Sequence, residues 1–317
     1  MEPKPPPFMD VFRLGLTKGL AGYLWLLKIL VPISFITMLL VHSGWIHRMD
    51  IILNPVMGLL GLPAMAALPL IVSLLTGIYG DIAAMAPLSL SVTQATLMTV
   101  FILIAHNLPQ ESAVQAKSGL SFVKATAVRL GAAVITVALM AQILQPETAP
   151  SLMVSQTAVI QLSISKALGV WAMDTLALCA KICLILTPLM VVLEVLKQYH
   201  VIENIVRPMG PLLALLGLER RMGLLWLTAA LFGLAYGSAV IVEETSEGNF
   251  SATELERLQA SIGINHAVIE DPVLFLPFGV HPFWLWIPRL TAAIVAVHMI
   301  KILQKLRPEK DSEPAAQ

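Results

Sequence analysis

The chain has 317 residues, 57% apolar and 13% charged, with a mean hydropathy of +0.81. A soluble domain carries about 25% charged residues, so the polar surface here is too small to cover a water-soluble globule. Disordered, collagen-like and coiled-coil classes are excluded as well. So is an outer-membrane barrel, whose strands alternate over ~10 residues. Twenty Lys and Arg balance twenty Asp and Glu, which leaves no basic patch for a nucleic-acid partner. The composition predicts an all-α, polytopic helical membrane protein.

In chain order, an amphipathic lead-in (8–20) precedes an apolar run from Gly22 to Val41. That run exceeds the about 7–15 residues of a signal-peptide core. It is expected to be a retained transmembrane helix broken at Pro32. A short Gly/Pro-punctuated piece follows (51–62), then a helix ending in Gly77 and Gly80 (63–80), a helix ending at His106 (93–108), and a last helix carrying Arg129 (119–145). The same order then returns: a lead-in (156–169), a long apolar segment broken at Pro188 (171–196), a short piece (203–217), and helices over 219–237, 253–268 and 283–303. The short pieces rise only about 20 Å, less than the ~30 Å hydrocarbon core, and read as half-helices or re-entrant segments. Cys179 and Cys183, four residues apart within an apolar run, read as small buried apolar groups. The segment Glu243-Glu244-Thr245-Ser246-Glu247-Gly248 reads as a solvated loop or a cavity rim. Thr253 and the acids after it read as a helix N-cap.

The recurrence is also visible residue by residue. An offset of 156 places Leu60-Gly61-Leu62 on Leu216-Gly217-Leu218, Pro32 on Pro188, Pro55 on Pro211 and Gly77 on Gly233. An offset of 160 then places Thr93 on Thr253, His106 on His266, Glu111 on Asp271 and Arg129 on Arg289. The chain is expected to be two structural repeats of about five membrane segments each, 1–150 and 151–307, with a disordered tail at 308–317. Five crossings per half put Lys117, Lys124, Lys197 and Arg207 on the cytoplasmic side, and four put them outside. The positive-inside rule favours five. An odd number makes the repeats inverted, with a site near the midplane where broken helices meet; a parallel arrangement is the alternative.

In each half a histidine is followed five residues later by a carboxylate, at the end of an apolar helix: His106 and Glu111, His266 and Asp271. Ionisable groups at membrane depth are costly and usually face a bundle interior or a wet cavity. Asn107, Asn265 and Glu270 flank these pairs. Asp81 and Ser238, beside the glycines, offer further ligand oxygens. Two such pairs facing each other could bind a polar solute, relay protons or hold a divalent cation; the competing reading is that the acids cap adjacent backbone. Arg129 and Arg289 are expected either to pair with Glu111 and Asp271 or to snorkel to headgroups. Lys28 and Lys181 each share a helix face with a proline. His42, His47, His200, His281 and His298 have no repeat partner. No Walker A, GxSxG, HExxH or CxxC motif is present, so no enzyme activity and no cofactor is expected.

The duplicated segment Asn54-Pro55 to Leu60-Gly61-Leu62, Gly77 and Gly80, with its counterpart at Pro211, Gly217, Gly233 and Gly237, resembles the nucleoside recognition or Gate domain. The runs 234–244 and 262–271 are similar to those of stand-alone bacterial and archaeal members. Gate domains also occur in concentrative nucleoside transporters, in the membrane part of ferrous iron transporter B and in spore maturation proteins. The resemblance implies a prokaryotic plasma-membrane, multi-pass transporter or gate for a small polar solute, nucleoside-like or a divalent metal ion. It fixes neither the solute nor the coupling ion, and homo-oligomerisation stays open. The alternatives are a non-transporting subunit of a membrane complex and a membrane-embedded enzyme built on the His/acid pairs.

Overall fold

A computed structural model describes residues 6–44, 50–146, 163–199, 201, 205, 207–245 and 250–306, and these are helical with short connections. The chain is an all-α polytopic membrane protein. Among the described residues, five helices are long and apolar enough to cross a membrane: Phe8–His42, Val92–Lys117 (bent at the histidine), Phe122–Leu144, Ile164–Gln198 and Pro282–Leu306. A sixth candidate is a pair of short helices, Leu53–Leu59 and Ala64–Leu75, bent by 86°. It corresponds to the short piece expected at 51–62 and the helix after it.

The first helix, α1 (Phe8–His42), runs unbroken through the lead-in and through Pro32. Its counterpart α8 (Ile164–Gln198) does the same through Pro188. The expected breaks at the two prolines are therefore absent. A proline removes one backbone donor and crowds the preceding turn, and here each helix is supported along its length by the other. The two run antiparallel. Gly15 sits where a Cβ would fall 2.6 Å from the Val191 backbone, and Gly19 comes nearly as close to Thr187. At the opposite end Phe35 meets Trp171 with ring centroids 5.1 Å apart. Trp171 also donates to Ser34 Oγ (3.2 Å). Small residues let the backbones approach, which is how helices associate where lipid gives no hydrophobic drive. Lys18 and Glu194 close the pair at 2.6 Å, with Glu194 buried.

The two Leu-Gly-Leu tripeptides have one cause. Helix α2 (Asp50–Leu59) ends at Gly61, with φ +65°, where Leu62 N–H donates to Met57 O and Gly61 N–H to Gly58 O. Helix α9 (Gly210–Leu215) ends at Gly217, with φ +73°, and the matching bonds run from Leu218 to Leu213 and from Gly217 to Ala214. Both are glycine-terminated Schellman ends that satisfy orphan carbonyls.

In each half two short helices follow. Helix α3 (Ala67–Leu75) is followed by α4 (Ile78–Met85), and α10 (Gly223–Phe232) by α11 (Leu234–Thr245). Gly77 and Gly233 therefore mark breaks inside these stretches, not their ends. The centre of the molecule is formed by α5 (Val92–Ala105), buried from Gln94 onward, and α12 (Ala252–Asn265), buried over its second half. Both begin with a capping box: Ser91 with Gln94, and Ser251 with Glu254. The cap of α12 is thus Ser251, two residues before the expected Thr253, because Ser251 places Glu254 at the third helical position where it can reach back. Helices α6 (Leu108–Lys117) and α7 (Phe122–Leu144) follow α5. After α12 come the short α13 (Glu270–Val273) and α14 (Pro282–Leu306).

Candidate functional site

Helices α5 and α12 end on histidines. His106 and His266 take extended backbone, and the next residue turns left-handed in both places: Asn107 at φ 49° and Ala267 at φ 44°. The reversed chain is strapped to a neighbouring helix, through Asn107 N–H to Ser73 O (2.7 Å) in one half and Val268 N–H to Ala230 O (2.7 Å) in the other. A new helix then starts, so that Glu111 and Asp271 lie in the first turns of α6 and α13. This turn is what makes a five-residue spacing fold back onto the histidine.

The final C=O groups of a helix lack intrahelical partners and attract cations. Arg129 on α7 donates to Ile104 O (3.0 Å) and His106 O (2.8 Å). Arg289 on α14 donates to Ile264 O (3.2 Å) and His266 O (2.8 Å). Both side chains are buried, so neither snorkels. Each arginine holds the end of a central helix, a role that ion pairing and snorkelling did not anticipate.

The two histidines meet. Their Nε2 atoms are 3.4 Å apart, and their Nδ1 atoms face helix carbonyls, Ile102 O at 3.0 Å for His106 and Ile262 O at 3.1 Å for His266. Glu111 Oε1 lies 3.2 Å from His106 Nε2 and 3.5 Å from His266 Nε2. Its other oxygen is 2.5 Å from Arg129 Nη1. Asp271 Oδ2 is 3.8 Å from His106 Nε2. Arg289 makes no ion pair among the described residues, and its Nη1 is buried without a hydrogen-bond partner. Asp271 has one methylene fewer than Glu111 and lies one residue into its helix, whereas Glu111 lies three residues into its own. His106, His266 and Asp271 present ligand atoms all within 4.8 Å of one another, and all three are buried.

The other anticipated residues divide. Asp81 is buried, with neither carboxylate oxygen hydrogen-bonded among the described residues, and it interacts electrostatically with His106, Glu111 and Asp271. Glu270 turns from the histidines and accepts from Tyr79 OH (3.2 Å). Asn265 is buried beside His266, and Ser238 is buried with a hydroxyl that has no partner among the described residues. The Asn107 side chain donates to Gln110 (3.2 Å) in an exposed position, so at Asn107 the backbone matters and the amide does not join the cluster. The side chains of Glu243 and Glu244 lie outside the described residues. Tyr79 was missed, as was the buried bridge in which Gln115 donates to Gln259 O (2.6 Å) and Gln259 to Ser118 Oγ (2.7 Å). Polar amides within apolar stretches were the available signal for the bridge.

No family model and no solved structure matches the chain. It is similar, at 29% identity over 292 residues, to the uncharacterized membrane protein YvoD of Bacillus subtilis (strain 168), covering 90% of this chain and 92% of that protein.

Proposed function

We propose that this protein is a transporter or gate of the prokaryotic plasma membrane, built from two inverted Gate-like repeats, that moves a small polar solute, nucleoside-like or a divalent metal ion, through a path at the junction of the repeats. One observation carries the reading: buried histidines, carboxylates and arginines, contributed equally by both halves, converge at the ends of the two central helices. Such groups are expensive at membrane depth and mark pathways for ions and polar solutes. The antiparallel packing of α1 against α8 and the matched turns at Asn107 and Ala267 support the inverted arrangement. The bent pair 53–75 supports a broken-helix path, since irregular backbone at depth lines cavities or is buried in protein. The similarity to a bacterial membrane protein agrees with the location. The test is uptake by proteoliposomes containing the purified chain, offered nucleosides and divalent cations with and without a proton gradient. Saturable flux of either class is expected, and no flux of any of them rejects the reading.

A further inference from the structure

We propose that His106, His266 and Asp271, with Glu111 Oε1 in a fourth position, form a binding site for a first-row divalent transition-metal ion. The inference deepens the proposed function by naming the solute class, and it rests on that reading only for the claim that the ion is carried.

Tautomer is the first argument. A carbonyl oxygen only accepts, so the contacts of Nδ1 with Ile102 O and Ile262 O require an Nδ1–H on both rings. In a neutral imidazole the other nitrogen then carries its lone pair. Both lone pairs point into the cluster, 3.4 Å apart. Two facing lone pairs repel unless a cation lies between them. An Nδ1–H held by a backbone carbonyl is also the usual outer-shell support of a metal-bound histidine.

Distances are the second. Ligands about 2.0–2.1 Å from a tetrahedral ion lie about 3.3–3.4 Å from one another. The separations here are 3.4 Å between the two Nε2 atoms, 3.2 and 3.5 Å from Glu111 Oε1 to each, and 3.8 Å from Asp271 Oδ2 to His106 Nε2; the ligand atoms of His106, His266 and Asp271 all lie within 4.8 Å of one another, so Asp271 has to move inward to complete the coordination. Arg129, on the other Glu111 oxygen, fixes the orientation of that carboxylate.

Charge is the third. Asp81 lies buried beside this cluster, with neither carboxylate oxygen in a hydrogen bond among the described residues. A buried carboxylate favours a nearby cation that compensates it, and Glu111 and Asp271 add further carboxylates at the same place. Two imidazoles with carboxylates suit zinc, cobalt or manganese better than magnesium or calcium, which prefer all-oxygen sites.

The experiment uses the full chain in nanodiscs, stripped with a chelator and titrated with Co²⁺. A saturable visible absorption of four-coordinate cobalt at one equivalent is expected, displaced by Zn²⁺ and not by Mg²⁺. X-ray absorption on the zinc-loaded wild type should report two imidazoles, a readout that needs no variant. His106→Gln and His266→Gln should each weaken binding by at least the ~10–100-fold that outer-shell changes cost, while His298→Gln should bind as wild type. Absence of a saturable band, or zinc without imidazole ligands, overturns the site and leaves a proton held between the histidines as the explanation. Stoichiometric binding without flux keeps the site and rejects the transporter. Flux of an uncharged solute without metal binding does the reverse.

Discussion

His106 and His266 are 160 positions apart in the chain, yet their Nε2 atoms lie 3.4 Å from one another, each at the end of a central helix and each followed by a left-handed residue. Replacing either by alanine leaves the arginine contacts to the backbone carbonyls in place and removes only the imidazole. His106→Ala and His266→Ala are therefore expected to abolish flux in proteoliposomes while the protein still elutes as a folded species in detergent. His298→Ala, on an exposed face of α14, should retain flux. Full flux in the double histidine variant would show that the pair is structural.

Glu111 ties this centre to Arg129 at 2.5 Å, and both side chains are largely buried. Glu111→Gln keeps the shape and removes the charge, leaving a buried guanidinium without its counter-ion. Breaking a buried pair in this way costs about 3–5 kcal/mol. A clear fall in the midpoint of thermal unfolding in detergent is expected. Asp271→Asn should cost less, because Arg289 makes no ion pair among the described residues. Equal losses in the two variants would contradict the asymmetry.

Ala267 holds φ 44° without the side-chain hydrogen bonding that lets asparagine tolerate the region, a strain of about 1–2 kcal/mol for an L-residue. Ala267→Gly should relieve most of it, offset in part by the added freedom of the unfolded chain, and raise the unfolding midpoint by a few degrees. Asn107→Gly, at the equivalent place, should change stability less. Destabilisation by Ala267→Gly would mean that the turn is held by contacts the backbone angles do not reveal.

Much of this centre was legible because rare residues recur in the sequence at a fixed offset of 160, and the recurring residues His106, His266, Glu111 and Asp271 come together in the structure. Leu60-Gly61-Leu62 and its copy encode the same glycine-terminated helix end. Pairing was one of two expectations for the arginines, and it holds for Arg129 with Glu111 and not for Arg289; their contacts with the ends of α5 and α12 were not legible, since that role depends on where α7 and α14 dock. Pro32 and Pro188 misled for a similar reason: a helix clamped along its length tolerates a missing donor that an isolated one would not. The bond from Tyr79 to Glu270 joins residues 191 positions apart that no offset relates, so nothing in the sequence announced it.

Gly15 and Gly19 offer a test of the α1–α8 contact. A Cβ at Gly15 would meet backbone, not a movable side chain, at 2.6 Å. Gly15→Val should force the helices apart, at the 1–3 kcal/mol typical of overpacking, and should weaken the Lys18–Glu194 pair beside it. Gly22→Val, with open space around it, is the control. The midpoints of thermal unfolding of the variant and its control in detergent report the difference.

The proposed inverted arrangement makes a sided prediction. If α1 enters from the cytoplasm, its antiparallel partner α8 starts on the outer face and returns, and the ion pair of Lys18 with Glu194 marks the cytoplasmic end of both. Lys117, at the end of α6, and Lys197, near the end of α8, should then both be cytoplasmic, as the excess of cationic residues there requires. The connector over 146–165 should be external. Single cysteines at Lys117→Cys, Ser155→Cys and Lys197→Cys, on a background with Cys179 and Cys183 replaced by serine, can be probed in intact cells with a membrane-impermeant maleimide. Labelling is expected at position 155 alone, with the other two reacting only after the membrane is permeabilised. A connector labelled only after permeabilisation, together with an external Lys117, would make the repeats parallel. The His106 and His266 turns would then no longer be related by an axis in the membrane plane, and the argument for a shared midplane path would fail even with the 3.4 Å contact intact.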